Sequence, residues 1–232
     1  MKSRLHKIWY GIVVLWFRLT MFPLYRVRVF GKEHVPLEGP VLIAGNHQSF
    51  LDPIFCQIPV RRNFHYLSRD TLYDHWFFGP LIRTLNTIPI RRGQSDITAM
   101  RAVIEKLRQN HAVVIFPEST RSQDGRIAEV KAGFALLARR SGATIVPTIV
   151  DGAYEAWPRH RKYPRLGRVG ILYGNPIRHE QVVEMGDRDF ARWLTTEFRR
   201  LQAECRIAMG RTPYKYSDKN APAASEAGPD AA

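Results

Sequence analysis

The residues best able to do chemistry lie in one short stretch, Gly45-Asn46-His47-Gln48-Ser49-Phe50-Leu51-Asp52-Pro53. A histidine followed at this spacing by an aspartate can act as a base with its orienting partner. The carboxylate takes the imidazole Nδ1–H, fixes the tautomer and leaves Nε2 free to accept a proton. Asp52 ahead of Pro53 also marks a helix start, with Asp as N-cap and Pro at N1. The alternative is that Asp52 only caps and His47 only hydrogen-bonds its own loop. A second group is cationic: Phe116-Pro117-Glu118-Ser119-Thr120-Arg121-Ser122 runs on to Arg126 and Lys131, and Arg91-Arg92 follow Ile88-Pro89-Ile90. Guanidinium forks recognise phosphate bidentately, so two such loops at one sheet edge would make a phosphate clamp. Taken singly, loop arginines are more often solvated charges. Cys56 lies in the apolar run Ile54-Phe-Cys-Gln-Ile58 and Cys205 on the apolar stripe of a terminal helix, so both read as core rather than as nucleophiles. The histidines lack metal-ligand spacing with the cysteines, and neither a Walker loop nor a GxGxxG after a strand is present, so no metal site is expected and nucleotide binding in those modes is disfavoured.

A frame for these loops is legible in the hydropathy pattern. Strand-length apolar runs at 41–44, 112–116 and 144–150, with weaker ones at 88–90 and 169–173, alternate with segments of helical period at 97–107, 131–140 and 187–208. Pro89 is what weakens the 88–90 run, and Ser95 is a candidate cap for the helix after it. Alternation of this kind predicts a single α/β domain, a mostly parallel sheet flanked by helices, with a right-handed βαβ unit over 112–150. His47 then sits beyond the carboxyl end of a strand, where open α/β sheets place ligands. The domain is assigned residues 29–210, and residues 211–232 are read as a disordered tail because the sequence beyond Tyr216 has no apolar period.

The whole chain has 232 residues, 45% of them hydrophobic and 24% charged, the composition of a protein with one large core. Two cysteines exclude a disulfide framework and fit a reducing compartment. Thirty-five Lys and Arg against twenty-one acids give a net charge of +14, which favours nucleic acid, an anionic membrane or phosphorylated substrates. The N-terminus narrows that choice. Lys2, Arg4, Lys7, Arg18, Arg26 and Arg28 all precede the first acid, Glu33, and interleave with Trp9, Trp16 and Phe17. Only ten contiguous apolar residues, 8–17, are available, where a spanning helix needs about 20. With Pro23 ending a second short segment, residues 1–28 read as a membrane-associating helix or helical pair lying on an anionic surface. A core helix with a basic end and a signal peptide are the alternatives, the second lacking a small-residue cleavage site after Phe17. Arg159-His-Arg-Lys162 with Arg165 and Arg168 is a further basic patch, solvated or lipid-facing, and no nucleic-acid reader is recognisable.

Four blocks carry a resemblance to a known family. His47-Gln-Ser-Phe-Leu-Asp52, Asn86-Thr-Ile-Pro-Ile-Arg-Arg92, Phe116-Pro-Glu-Ser-Thr-Arg121 and Val146-Pro-Thr-Ile149 resemble, in order, the H-x4-D, G-x-x-F-I-x-R, F-P-E-G-T-R and V-P-x-x elements of the glycerolipid acyltransferases, of the 1-acyl-sn-glycerol-3-phosphate acyltransferase type. The resemblance implies transfer of a fatty acyl group from acyl-CoA or acyl carrier protein to the sn-2 hydroxyl of 1-acyl-glycerol-3-phosphate, giving phosphatidate in phospholipid biosynthesis. It makes His47 and Asp52 catalytic, with no metal and no cofactor besides the acyl co-substrate. Arg91, Arg92, Ser119, Thr120 and Arg121 become acceptor-binding residues, and Glu118 orders the glycerol end or the loop itself. The implied partners are the lysophospholipid acceptor, the acyl donor and an anionic membrane, without nucleic acid. The implied location is the cytoplasmic face of the cell membrane, peripheral or monotopic. The same chemistry on glycerol-3-phosphate, a lyso-ornithine lipid or another lysolipid is the nearest alternative, and a non-catalytic basic membrane-binding module the more distant one. Two departures stand out. Ser119 occupies a family glycine and restricts any positive φ the turn requires, and Asn86 occupies another, a gentler change because Asn tolerates the left-handed region.

Overall fold

A computed structural model describes residues 2–216, apart from residues 71, 72, 75, 77 and 91–95. The expected cap Ser95 and the tail at 217–232 lie outside the described residues. The chain runs α1 (Lys2–Leu24), β1 (Arg28–Phe30), β2 (Val41–Gly45), α2 (Asp52–Gln57), β3 (Phe64–Arg69), α3 (Phe78–Thr84), β4 (Thr87–Ile90), α4 (Asp96–Arg108), β5 (Ala112–Ile115), α5 (Ala132–Ser141), β6 (Thr144–Asp151), α6 (Ala153–Ala156), β7 (Gly170–Tyr173) and α7 (His179–Ala208). Seven strands form one sheet in the order β1-β7-β6-β2-β5-β3-β4. β6, β2, β5, β3 and β4 run parallel, whereas β7 is antiparallel to β6 and β1 is parallel to β7. The mostly parallel α/β architecture expected from the alternation is therefore present. β5-α5-β6 is the expected βαβ unit, with β2 inserted between its two strands. Pro89 falls in β4 at the sheet edge, where a missing N–H leaves no ladder bond unmade.

β2 is buried throughout, and the period of two sends its side chains to two different cores. Leu42 and Ala44 pack with Val103 and Leu107 of α4, Phe134 and Leu137 of α5, and Phe190, Leu194 and Phe198 of α7. Val41 and Ile43 pack on the other face with Phe55 and Cys56 of α2, Tyr173 of β7 and the inner side of α1. Each cysteine lies in one of these cores: burial pushes the Cys56 thiol well above its ordinary range and the Cys205 thiol up to about 12. α7 breaks at Gly186 (φ 73°), so its second part begins where the sequence pattern placed it.

Two boundaries differ from expectation. α1 is one continuous helix that passes through Arg18 and takes Pro23 into its last turns, rather than a short helix or a pair. The segment Arg4–Leu24 is long and apolar enough to cross a bilayer, at 21 residues and a mean hydropathy of 1.2. One side of it is docked on the domain. Tyr10 is buried and donates to Gln57 Oε1 at 2.8 Å, Arg18 Nε donates to the Ile58 carbonyl at 2.7 Å, and Phe17, Met21 and Phe22 pack on the core beside α2. The other side, Leu5, Ile8, Trp9, Ile12, Leu15, Trp16 and Leu19, is an i, i+3, i+4 apolar stripe whose residues are 45% to 67% exposed. At the far end, residues 211–216 belong with the domain rather than with a tail. Arg211 Nη1 meets buried Asp151 at 2.7 Å and the Ile127 N–H donates to the Tyr216 hydroxyl at 2.8 Å.

Candidate active site

The loop leaving the central strand β2 is fixed before it reaches its histidine. Asn46 is fully buried and pairs with Val150 of β6 through both ends of its amide: Nδ2 donates to the Val150 carbonyl at 3.1 Å and Oδ1 accepts the Val150 N–H at 2.7 Å. The side chain thus continues the ladder after the backbone has turned away, and His47 emerges from a rigid base.

Asp52 closes the loop from the other side. A single carboxylate oxygen, Oδ2, accepts the Gln48 N–H at 2.6 Å and the Ser49 N–H at 2.7 Å, and lies 2.8 Å from His47 Nδ1. The expected pairing of imidazole and carboxylate is made. The expected N-cap is not: Leu51 occupies that position without a side-chain cap bond, and Asp52 is the first residue of α2, its carboxylate turned back into the loop. Asp52 has no exposure, while the His47 side chain keeps 21% of its surface open. Two donors from the loop backbone hold the carboxylate, so the imidazole is oriented by a group that cannot swing.

The loop after β5 is laced to the same histidine. The His47 N–H donates to Glu118 Oε1 at 2.8 Å, Glu118 Oε2 accepts the Ala128 N–H at 2.7 Å, and the Ser122 N–H donates to the His47 carbonyl at 2.7 Å. The Phe116 ring stacks under the imidazole, with centroids 4.2 Å apart and planes 15° apart. Burial pushes the Glu118 carboxyl up to about 7, against the pull of its two backbone donors. Ser119 adopts φ 61°, the left-handed conformation that a glycine would take freely, so its Cβ sits under strain in the turn. Asn86 is not among the left-handed residues. Its carbonyl accepts the Tyr66 N–H at 3.2 Å and its Oδ1 lies 3.1 Å from His6 Nε2 of α1.

Among the described residues expected to clamp a phosphate, Arg121 is the cation placed beside the His47 loop. Its guanidinium lies 3.6 Å from the centroid of Phe50, in the middle of the histidine loop. Thr120 and Ser119 are exposed next to it. Arg126 is turned to Asp124 at 2.7 Å, and Lys131 stands at the N-cap of α5. Arg91 and Arg92 lie outside the described residues; β4, which they follow, ends at the same sheet edge as β2 but three strands away, about 14 Å at ordinary strand spacing.

No spacing in the sequence points to Phe50, Asn46 or the Trp157 that packs on Phe50 at 5.2 Å. A second support was missed as well: the Gly125 carbonyl accepts Gln48 Nε2 at 2.6 Å and Gln202 Nε2 at 2.9 Å, tying the histidine loop to α7. Among the described residues, no group of three or more His, Cys, Asp and Glu is arranged to hold a metal ion. The arrangement offers an oriented base in a partly open loop with a guanidinium beside it, which is the equipment for deprotonating a hydroxyl attached to an anionic group.

A family model described as acyltransferase matches residues 26–151, from just after α1 to the end of β6. The chloroplastic 1-acyl-sn-glycerol-3-phosphate acyltransferase of Arabidopsis thaliana is 28% identical over 175 residues, covering 74% of this chain and 47% of that protein. The 1-acyl-sn-glycerol-3-phosphate acyltransferase of Bacillus subtilis (strain 168) is 21% identical over 164 residues, covering 70% of this chain and 79% of that protein. The chain spans about half the length of the plant relatives it matches. Among solved structures, the 1-acyl-sn-glycerophosphate acyltransferase of Thermotoga maritima superposes with a TM-score of 0.73 at 22% identity, covering 88% of this chain and 83% of that one, which establishes a shared fold.

Proposed function

The chain belongs to the acyltransferase family, and from that premise we propose that it moves a fatty acyl group from an acyl thioester, acyl-CoA or acyl carrier protein, to the sn-2 hydroxyl of 1-acyl-glycerol-3-phosphate, giving phosphatidate. The observation that carries the reading is the His47–Asp52 pair, in which Oδ2 at 2.8 Å holds Nδ1 and leaves Nε2 as the free proton acceptor. Nε2 removes the hydroxyl proton as the oxygen attacks the thioester carbonyl. The new C–O bond forms, the C–S bond breaks, and the imidazolium returns its proton to the departing thiolate. Asp52 stabilises the imidazolium in between. No acyl-enzyme is required, in keeping with two buried cysteines. Arg121, supported on Phe50, takes the acceptor's phosphate with help from Arg91 and Arg92. Glu118 serves the loop rather than the glycerol, since it is 1% exposed and its oxygens accept backbone N–H groups from both sides of the loop.

Both the acceptor and the product are lipids, and α1 fits the place where they reside. Contacts at Tyr10, Arg18 and Met21 dock the helix along its length, so a helix so held lies in the membrane surface with its exposed apolar stripe down and the domain above it. The relatives of Arabidopsis and Bacillus subtilis, named for action on 1-acyl-sn-glycerol-3-phosphate, support that acceptor.

The test is acyl transfer by the purified protein with lysophosphatidate, glycerol-3-phosphate and lyso-ornithine lipid as acceptors and both donor types. Transfer to lysophosphatidate is expected, and His47→Ala should lower its rate by about 10²- to 10⁴-fold. Wild-type-like turnover by His47→Ala would refute the mechanism, and transfer only to another acceptor would reassign the substrate.

A further inference from the structure

Between Glu155 and Glu180 the chain has no acid, and its segment 158–168 carries Arg159, Arg161, Lys162, Arg165 and Arg168. Among the described residues, the ion pairs involve none of these five side chains. Two apolar side chains project from the same segment, Tyr163 at 67% and Leu166 at 72% exposure, with the Lys162 ammonium 5.3 Å from the Tyr163 ring centroid. Arg161 Nη1 donates to the Glu155 carbonyl at 3.0 Å. Exposed apolar tips on a segment whose cations have no acidic partner among the described residues are complementary to an anionic lipid surface, where the tips enter the headgroup layer and the cations meet phosphates.

The segment is also held in place. Trp157 Nε1 donates to the Arg161 carbonyl at 3.1 Å, the Arg165 N–H donates to the Ala156 carbonyl at 2.8 Å, and the Val169 N–H donates to the Tyr25 carbonyl at 3.0 Å. Its two ends touch the two features already described. At the start, the Trp157 carbonyl accepts Ser49 Oγ at 2.8 Å and its ring packs on Phe50, both residues of the histidine loop. At the end, Leu166, Gly167 and Arg168 face Pro23, Leu24 and Arg26 across a cleft of about 540 Å³ at the last turn of α1. Leu166 and the C-terminal end of α1, where Leu24 is 45% exposed, thus share one cleft.

We propose that segment 158–168 is a second bilayer contact, an anionic-lipid-binding loop that joins the end of α1 to the rim of the His47 loop. The proposal rests on the reading of α1 as an interfacial helix and extends it, giving the domain a second point of attachment on its catalytic side. Nucleic acid would satisfy the cations but would leave the aliphatic side chain of Leu166, 72% exposed, without a partner.

The test uses the full chain labelled with an environment-sensitive fluorophore at Ile12→Cys or at Leu166→Cys. Cys56 and Cys205 are fully buried and do not compete for label. On phosphatidylglycerol-rich vesicles both labels should shift to the blue, and on phosphatidylcholine vesicles the Leu166→Cys label should shift much less. A Leu166→Cys label that stays aqueous while the Ile12→Cys label moves would overturn the proposal and leave the reading of α1 intact; two aqueous labels would overturn both. The triple variant Arg159→Gln, Lys162→Gln, Arg165→Gln, checked for an unchanged unfolding midpoint, should partition onto the anionic vesicles roughly a hundredfold less at low salt. Unchanged partition by that variant, with lost binding to duplex DNA, would reassign the patch to nucleic acid and overturn the proposal.

Discussion

Replacing Asp52 by asparagine should remove charge while leaving geometry. The oxygen that faces His47 Nδ1 at 2.8 Å also accepts the N–H groups of Gln48 at 2.6 Å and Ser49 at 2.7 Å. An asparagine must place its carbonyl oxygen there, because the amide turned the other way would set its own NH2 against two backbone donors. The imidazole then keeps the tautomer that leaves Nε2 as acceptor. What disappears is the attraction between a carboxylate and the imidazolium that forms during proton transfer. Two unit charges centred about 4 Å apart attract by about 4 kcal/mol at an effective dielectric constant of about 20. Only the part of that attraction developed in the transition state affects the rate, so kcat should fall by about 10²- to 10³-fold. Asp52→Ala instead takes the acceptor from three donors together and should cost about 3 kcal/mol of stability or more besides its loss of rate. The assay is initial rate with both substrates saturating, alongside unfolding midpoints for the wild type and both variants. Wild-type turnover in Asp52→Asn would refute the electrostatic role. The Asn NH2, set in the buried position of Oδ1 that has no hydrogen-bond partner among the described residues, should cost about 1 to 3 kcal/mol of stability. An Ala variant as stable as wild type would refute the locking by Gln48 and Ser49.

Ser119→Gly should raise stability by up to about 1 kcal/mol, since relief of the left-handed strain of about 1 to 2 kcal/mol outweighs the added freedom of glycine in the unfolded chain; a lower denaturant midpoint would count against it. Arg121→Ala should raise the acceptor KM by about tenfold to a hundredfold, the loss of a charge-assisted contact, and Phe50→Leu should raise the same constant by a smaller factor through loss of a cation–π contact of about 0.5 to 2 kcal/mol. An unchanged acceptor dependence in both would remove the phosphate role. Burial lifts Glu118 from 4.5 to about 7, so the folded protein holds that proton more tightly than the unfolded chain does. The resulting stabilisation is complete below pH 4.5 and is lost as pH rises through about 7. Wild type should therefore lose stability relative to Glu118→Gln across that window, as followed by chemical unfolding at a series of pH values, and a flat difference would contradict the shift.

The parts of the fold legible in the sequence are those with an uninterrupted signal. β2, β5 and β6 are apolar runs because both faces of a central parallel strand are covered, and α4 and α5 show their stripe because one side meets the sheet. β3 was missed because its sequence, Phe-His-Tyr-Leu-Ser-Arg, mixes polar residues into a strand near the sheet edge. β1 is three residues long and exists through its pairing with β7, which no local pattern announces. In the site, His47 and Asp52 were readable because their partnership is local. Asn46 bonds to Val150 and Gln48 shares an acceptor with Gln202, and such long-range amide contacts leave no spacing to read. Phe50 stands out as the one aromatic between His47 and Asp52, 46% exposed, but its partner Arg121 is known only from the fold.

The two sides of α1, one docked on the domain and one exposed, separate what holds the helix to the protein from what would hold it to a bilayer. Deleting the helix would strip the cover from Tyr25 and Phe55 and take a donor from Gln57 Oε1, so the remainder would gain a new sticky face in place of the old one. Changing Ile8, Ile12, Leu15 and Leu19 to polar residues touches none of those contacts, since all four side chains point away from the domain. On the interfacial reading of α1, attachment and folding are divided between opposite sides of one cylinder, and repainting the stripe removes the helix's hold on a bilayer with the fold intact, leaving segment 158–168 as the contact that remains.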